Sequence, residues 1–428
     1  MFAYDLDWER ERAKLILKVV SAEIAKNYYD PKLNGLDWVG LTEQARQRIE
    51  KANSNGEMLT AIYWLIDQLH DSHTRFLPPG RVHKLLFGFS TAAFGDEIRI
   101  NRIAKGGQAE AAGLQVGDRI LAVNGFATDR KTIDPMMFYY RLLRPRQEWQ
   151  IVFTRGNQPP STVTVSAKVK EGKFLTDITD GIEIWNLIRE MQDQEPDYHR
   201  SMHADGIGYV SFKEFGRLDF TPIVDDISKA RAVVLDLRGN RGGLIEGLEE
   251  LIGHFEAKPT LIARMVGRKK TESIEANRRV PNLIPKMVIM VDSESASAAE
   301  VLARHFQKTG KAVVIGDRTA GYVNASRYFS HAFGTNVVAL YGVQISTGTL
   351  EFPDGEILEE RGVSPDAVCI PTAQEMRERQ DRCLLQAFSL ARKSIGLDEA
   401  VPDDTRTELQ IIREKLDSEA ERQLRKNQ

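Results

Sequence analysis

From about residue 205 the chain alternates short, continuous apolar runs with amphipathic stretches, and this pattern narrows the possible folds more than any other feature. "IGYVSF", "RAVVLDLRGN", "MVIMVD" and "KAVVIGD" read as strands. Between them, "TPIVDDISKA", opened by Thr221 and Pro222, "GLIEGLEELIGHF" and "SAAEVLARHFQKTG", stopped at Gly310, read as helices. Strands apolar on both faces and separated by helices predict a largely parallel sheet covered on both sides.

The flanking regions have other periods. Residues 1–80 read as a helical domain, because "WERERAKLILKVVSAEIAKNYYD" and "GEMLTAIYWLIDQLHDSH" repeat apolar residues at helical spacing until "LPPG" ends the run. Residues 81–171 read as a small, mostly β module, with "DEIRINRI" alternating and "EWQIVFTRGNQPPSTVTVSAKV" forming two strands about a turn. The α/β core then occupies 172–372, and 373–428 reads as helical and charged. Its tail, "RTELQIIREKLDSEAERQLRKNQ", carries too few apolar residues for a core helix and is expected on a surface, where it would pair subunits or fray. The expected fold class is multidomain α/β.

Composition excludes several functions. Apolar content of 42% and charged content of 28% are ordinary for globular protein, and a net charge of −3 gives no electrostatic case for nucleic acid. No apolar run approaches the ~18 residues of a membrane span. The start, "MFAYDLDWERERAKL", lacks the apolar stretch of a signal peptide. As written, the cytoplasm is expected; a removed leader would point to the periplasm or the exterior. Cys369 and Cys383 lie outside any CxxC and are expected to be plain thiols.

Two strand-to-helix turns are candidates for chemistry. "VLDLRGNRGGLIEG" delivers glycines to a helix N-terminus, where free N–H groups stabilise negative charge. It has neither the Lys-Ser/Thr of a phosphate loop nor the dinucleotide spacing, and its glycines also suit a tight turn needing positive φ. "VDSESASAAEVLARHF" repeats the theme with Ser293, Ser295 and Ser297. A serine there is ordinarily a helix cap; the alternative is a nucleophile flanked by oxyanion-binding amides. Two such turns at the carboxyl ends of parallel strands can converge on one site. Such a serine also needs a base, and each histidine taken alone reads as a capping, packing or surface residue. His254 and His305 read as helix residues for packing or surface, whereas His73, in "HDSHTRF", stands where a helix gives way to a loop beside Ser72.

"DLRGNRGG", "SASAAE", "VIGDRTAG" and "LEERGVSPD", in this order, resemble the C-terminal processing (tail-specific) serine peptidases and their tricorn-like relatives, over roughly residues 10–372. The β module resembles a PDZ domain, with "LFGF", Leu86, Phe87, Gly88 and Phe89, matching the carboxylate-binding loop. The resemblance implies a crotonase-like peptidase core, Ser297 as nucleophile, and the N–H groups of Gly243 and Ala298 as oxyanion donors. Many members use a Ser/Lys dyad, but the lysine position here holds Tyr322 in "RTAGY". The tricorn-like branch uses a histidine preceded by a serine and a late glutamate, matching His73, Ser72 and Glu359, with Glu360 as the neighbouring alternative. A neutral imidazole can take the proton from serine and return it to the leaving amine.

The activity implied is hydrolysis of peptide bonds in unfolded or C-terminal segments captured by the PDZ domain, by addition of a strand beside "GFSTAAF" and an apolar pocket for the last side chain. The expected partners are polypeptides with exposed apolar C-termini, and no metal or organic cofactor is implied. The rival is an inert peptide- or lipid-binding scaffold on the same fold, since fold does not settle function. An esterase of the G-x-S-x-G type lacks its motif.

Overall fold

The computed structural model describes residues 5–79, 83–171, 199–216, 220–281, 283, 285–333, 339–407 and 409–411. The four predicted strands form the centre of a six-stranded sheet in the order His199–Ala204, Ile207–Phe212, Ala232–Asp236, Lys286–Val291, Ala312–Gly316 and Ala367–Val368, the first and last being additions. Its first pair is antiparallel and the rest are parallel. Period-two alternation sorts the side chains between two cores. Val233, Leu235, Ile289 and Val314 point to the face covered by helices Thr221–Ser228, Ile245–Gly253 and Ala298–Lys308. Ala232, Val234, Val288 and Met290 point to the other.

That other face overturns one expectation, that the two cysteines are free. It is covered by the helix Arg382–Ser394, which buries Cys383, Leu384, Ala387, Phe388 and Ala391 against the sheet. This helix precedes the tail expected on the surface and completes the core; the period-3.6 stripe in "CLLQAFSLA" is its local signal. Most of the charged tail, 412–428, lies outside the described residues. Docking this helix also brings Cys383 to Cys369, which follows the last strand, and the two are joined in a disulfide with Cα atoms 5.6 Å apart, not free as expected. Closing a loop over a separation of 14 residues restricts the unfolded chain. Replacing both cysteines by serine should lower stability by about 3 kcal/mol, read from urea melts under non-reducing conditions.

A second, antiparallel sheet has no counterpart in the sequence reading. It runs Arg75–Leu77, Ala339–Glu351, Thr260–Gly267, Thr271–Ala276, with Ala325–Phe333 also paired to the long strand. Through Arg75–Leu77 it holds the turn that follows the N-terminal helices. Those helices, Leu6–Asn27, Trp38–Lys51 and Asn55–Asp67, pack through Ile16, Val20, Ile24, Ile49, Ile62 and Leu65 onto Val343 and Ile345 of that strand.

The β module folds as a sheet with Phe89–Phe94 at one edge and a core around Trp149. Its Arg130 guanidinium donates to the Asp317 carboxylate (3.2 Å) and to the carbonyls of Gly95 and Thr319 (both 3.1 Å), and Gly95 N–H donates to Asp317 (2.8 Å). The module thus rests on the segment that leads from the strand Ala312–Gly316 to Tyr322.

Candidate active site

The three serines of the "VDSESASAAE" turn have three environments. The Ser293 hydroxyl donates to the Ala93 carbonyl of the β module's edge strand (2.6 Å). Ser295 is fully buried and donates to Leu237 O (2.8 Å), joining the two strand-to-helix turns. Ser297 alone of the three lines a cavity of about 510 Å³, opposite His73.

Ser297 has φ 54° and ψ −122°, a conformation costly for a side chain that branches from Cα. Surrounding bonds impose it: the Ser297 N–H donates to Tyr322 O (2.7 Å) and to Glu300 Oε2 (3.1 Å). Glu300 is fully buried and also accepts from Gly321 N, Tyr322 N and the Thr319 hydroxyl. Burial pushes its carboxyl up to about 7 against those donors. The strained turn displays the hydroxyl at the head of the helix Ala298–Lys308.

Opposite it, the glycine turn comes as close as backbone allows. A Cβ on Gly242 would lie 2.5 Å from Ser297 Cβ, and one on Gly243 would lie 2.6 Å from the Phe215 backbone. Asn240 fixes the turn by accepting from Gly242 N–H (2.9 Å) and donating to Phe212 O (2.9 Å). The N–H groups of Gly243 and Ala298 have no hydrogen-bond acceptor among the described residues, and both residues line the cavity beside Ser297. Two unpaired amides beside a displayed hydroxyl suit a developing oxyanion.

His73 reaches the cavity from the turn after the helix Asn55–Asp67. Its Nδ1 lies 2.7 Å from the Ser72 hydroxyl, leaving Nε2 for the cavity. Ser72 also donates its N–H to Glu359 Oε1 (3.4 Å). Glu359 therefore acts on His73 through Ser72 rather than by direct contact. Its Oε2 accepts from Val323 N (2.8 Å) and Asn324 N (3.1 Å), while burial pushes its carboxyl upward. Glu360, the alternative, is exposed at φ 62°. Burial, reinforced by the Arg75 guanidinium and opposed by Asp71, lowers the imidazole to about 4, so it is neutral near pH 7. No hydrogen bond joins Ser297 to the imidazole here; such bonds commonly tighten only when substrate is bound.

Other sequence-predicted residues fall as follows. Tyr322 lines the cavity with the Arg75 guanidinium 5.8 Å from its ring centre, so an aromatic ring occupies the site of the dyad lysine. His305 is buried against Glu256 (2.9 Å) and His254 against Pro281 O (3.0 Å), both packing residues. In the β module, Phe87 stacks on Trp149 at 3.8 Å and Phe89 meets it edge-on, so both rings belong to the core; Leu86 is half-buried and Gly88 has φ 76°. Sequence reasoning misses Asp71 and Glu300, because nothing local marks a carboxylate whose partners are distant. Among the described residues no cluster of His, Cys, Asp or Glu could hold a metal.

This arrangement corresponds to known families. Residues 206–369 match peptidase family S41, residues 81–136 match the PDZ domain, and residues 11–61 match the tricorn protease C1 domain. The chain thus carries a peptidase family S41 domain together with a PDZ domain, and it is similar to serine peptidases named carboxyl-terminal-processing proteases. It is 25% identical over 340 residues to the chloroplastic carboxyl-terminal-processing peptidase 1 of Arabidopsis thaliana, covering 74% of this chain and 64% of that protein. It is 23% identical to the carboxyl-terminal-processing protease of Synechocystis sp., covering 84% and 81%. In fold it resembles mature CPAF (TM-score 0.66, 13% identity, 91% and 98% covered) and a photosystem II D1 C-terminal processing protease (TM-score 0.51, 19% identity, 87% and 98% covered).

Proposed function

We propose that the protein is a serine endopeptidase that cuts unfolded or C-terminal polypeptide segments through an acyl-enzyme on Ser297. The observation that carries this reading is the convergence of the strained Ser297, two unpaired amides and a neutral His73 on one cavity. In the first half-reaction the imidazole Nε2 takes the Ser297 proton as Oγ attacks the scissile carbonyl. The N–H groups of Gly243 and Ala298 hold the oxyanion, and the imidazolium protonates the leaving amine. Water then repeats the sequence on the ester. Ser72, backed by Glu359, keeps Nδ1 hydrogen-bonded and the ring oriented. Leu248, Ile274, Val301 and Leu350 line the cavity and suit an apolar residue before the cut bond.

The strand Phe89–Phe94 has a free edge among the described residues, and a peptide added there would run past Ala93 toward the Ser293 turn. This supports capture of polypeptides with apolar C-termini by the loop Leu86–Phe89. The disulfide favours an oxidising compartment over the cytoplasm, and no described helix is long and apolar enough to cross a membrane. Subunit pairing through the C-terminal helices would rest on residues after Ser394, since the preceding helix covers its own sheet.

Incubation with an unstructured protein ending in apolar residues, followed by mass spectrometry, tests the reading. Fragments together with an acyl adduct on the Ser297 peptide are expected. An intact substrate and an unmodified serine would favour the inert scaffold. A pH series adds a second check. With the imidazole near 4, kcat/KM should stay high down to about pH 5 and fall as His73 protonates near 4, well below the ordinary histidine range. An acid limb at about 6.5 would instead mean an imidazole at its ordinary value, not lowered by burial.

A further inference from the structure

Asp71 precedes the Ser72–His73 pair, and its carboxylate gathers five donors. Oδ1 accepts from the N–H groups of His73 (2.9 Å) and Thr74 (2.7 Å) and from the Ser346 hydroxyl (2.5 Å). Oδ2 accepts from the Tyr28 hydroxyl (3.0 Å) and the Asn324 side-chain amide (3.1 Å). An ionised carboxylate offers about four lone-pair sites, so this one is saturated. The two backbone bonds alone would make an ordinary Asx turn. The other three reach in from the end of the first helix, the long strand of the second sheet and the segment 322–324. Tyr28, Ser346, Thr74 and Asn324 are all buried.

These partners lead to the catalytic groups. Asn324 also donates its own N–H to Glu359, so it spans the two carboxylates behind His73. Asp71 holds the His73 backbone directly, and Ser72 joins His73 to Glu359, its hydroxyl 2.7 Å from Nδ1 and its N–H donating to the Glu359 carboxylate. We propose that Asp71 is the positioning residue of the base, setting where the His73 imidazole stands relative to Ser297, and that Tyr28 thereby makes the N-terminal helical segment part of the active site. The inference rests on the reading of His73 as base. The negative charge beside the ring also favours the imidazolium that forms in the reaction.

The test uses the full chain, an unstructured polypeptide substrate, and separate kcat and KM values for wild type, Asp71→Asn, Tyr28→Phe and His73→Ala. Asparagine offers one oxygen to five donors, so Asp71→Asn should lower kcat about 30- to 100-fold with KM within about threefold, the scale of a displaced catalytic group. Tyr28→Phe should lower kcat about three- to tenfold in the same pattern. The rate of Ser297 labelling by a fluorophosphonate supplies a readout that a structural role would not move. Asp71→Asn should slow labelling in the wild type but add nothing to His73→Ala, because no base remains to be positioned. An equal further loss in that background, an effect on KM alone, or an unchanged kcat would overturn the inference. If Asp71→Asn does not fold, Ser346→Ala removes one donor without burying a charge; it should lower kcat severalfold, and an unchanged kcat would overturn the proposal. Full activity of His73→Ala would sink the base reading and this inference together, whereas a dead His73→Ala beside a normal Asp71→Asn sinks only this one.

Discussion

Ser297→Ala and His73→Ala should each lower kcat by about 10⁴ or more while leaving thermal melts and PDZ-domain peptide binding near wild-type values. Alanine at 297 removes the only hydroxyl of the turn that lines the cavity, and Ser297 enters the bonds that shape the turn through its backbone N–H, so the fold should survive. Alanine at 73 removes the imidazole but keeps the N–H that Asp71 holds. Because serine, base and oxyanion groups act as a unit, the double variant should be no worse than either single one. A dead Ser297→Ala beside a fully active His73→Ala would place the base elsewhere. With Tyr322 at the dyad position, a displaced lysine would then have to be sought.

Gly242→Ala should be nearly as damaging although it removes no functional group. Its φ of 90° disfavours any side chain, and the new Cβ would meet Ser297 Cβ at 2.5 Å, Ala298 N at 2.8 Å and Ala296 O at 2.9 Å. All three neighbours are backbone or the first side-chain atom of Ser297, so none can rotate away. Either Ser297 or the adjacent Gly243 amide must move. Loss of one oxyanion donor costs on the order of 10²–10³ in kcat, and a displaced nucleophile adds to it. Steady-state kinetics with a melt as control would show the effect in kcat; a variant within tenfold of wild type would mean that the two turns do not form one site.

Much of this architecture is legible in the amino-acid sequence. The parallel strands and their helices can be read because continuous apolar runs and 3.6-residue stripes are local signals, and the glycines of "GNRGG" announce a turn needing unusual φ. Ser297 and His73 stand out by motif, with a physical reason available for each. The helix Arg382–Ser394 is legible too, but the charge of the neighbouring tail obscures its apolar stripe. The second sheet is hidden because it joins segments far apart in the chain: Arg75–Leu77 pairs with Gly342–Gln344, and Arg264–Gly267 with Gly348–Glu351. The disulfide is hidden because two cysteines carry no signal until a helix docks on a strand.

Side-chain order along the chain thus specifies which elements form, that they build a peptidase-type α/β core beside a PDZ domain, and which serine and histidine are available. How these groups meet is a property of the folded chain. Folding puts Ser72 between His73 and Glu359 across a separation of 287 residues, leaves two amides beside Ser297 unpaired among the described residues, and sets Asp71 and Glu300 among donors from distant segments. The reason is physical. Helix and strand formation follow from side-chain periodicity within about a dozen residues, whereas burial and the choice of partner for a carboxylate or an amide depend on what the rest of the chain brings within hydrogen-bonding distance of it.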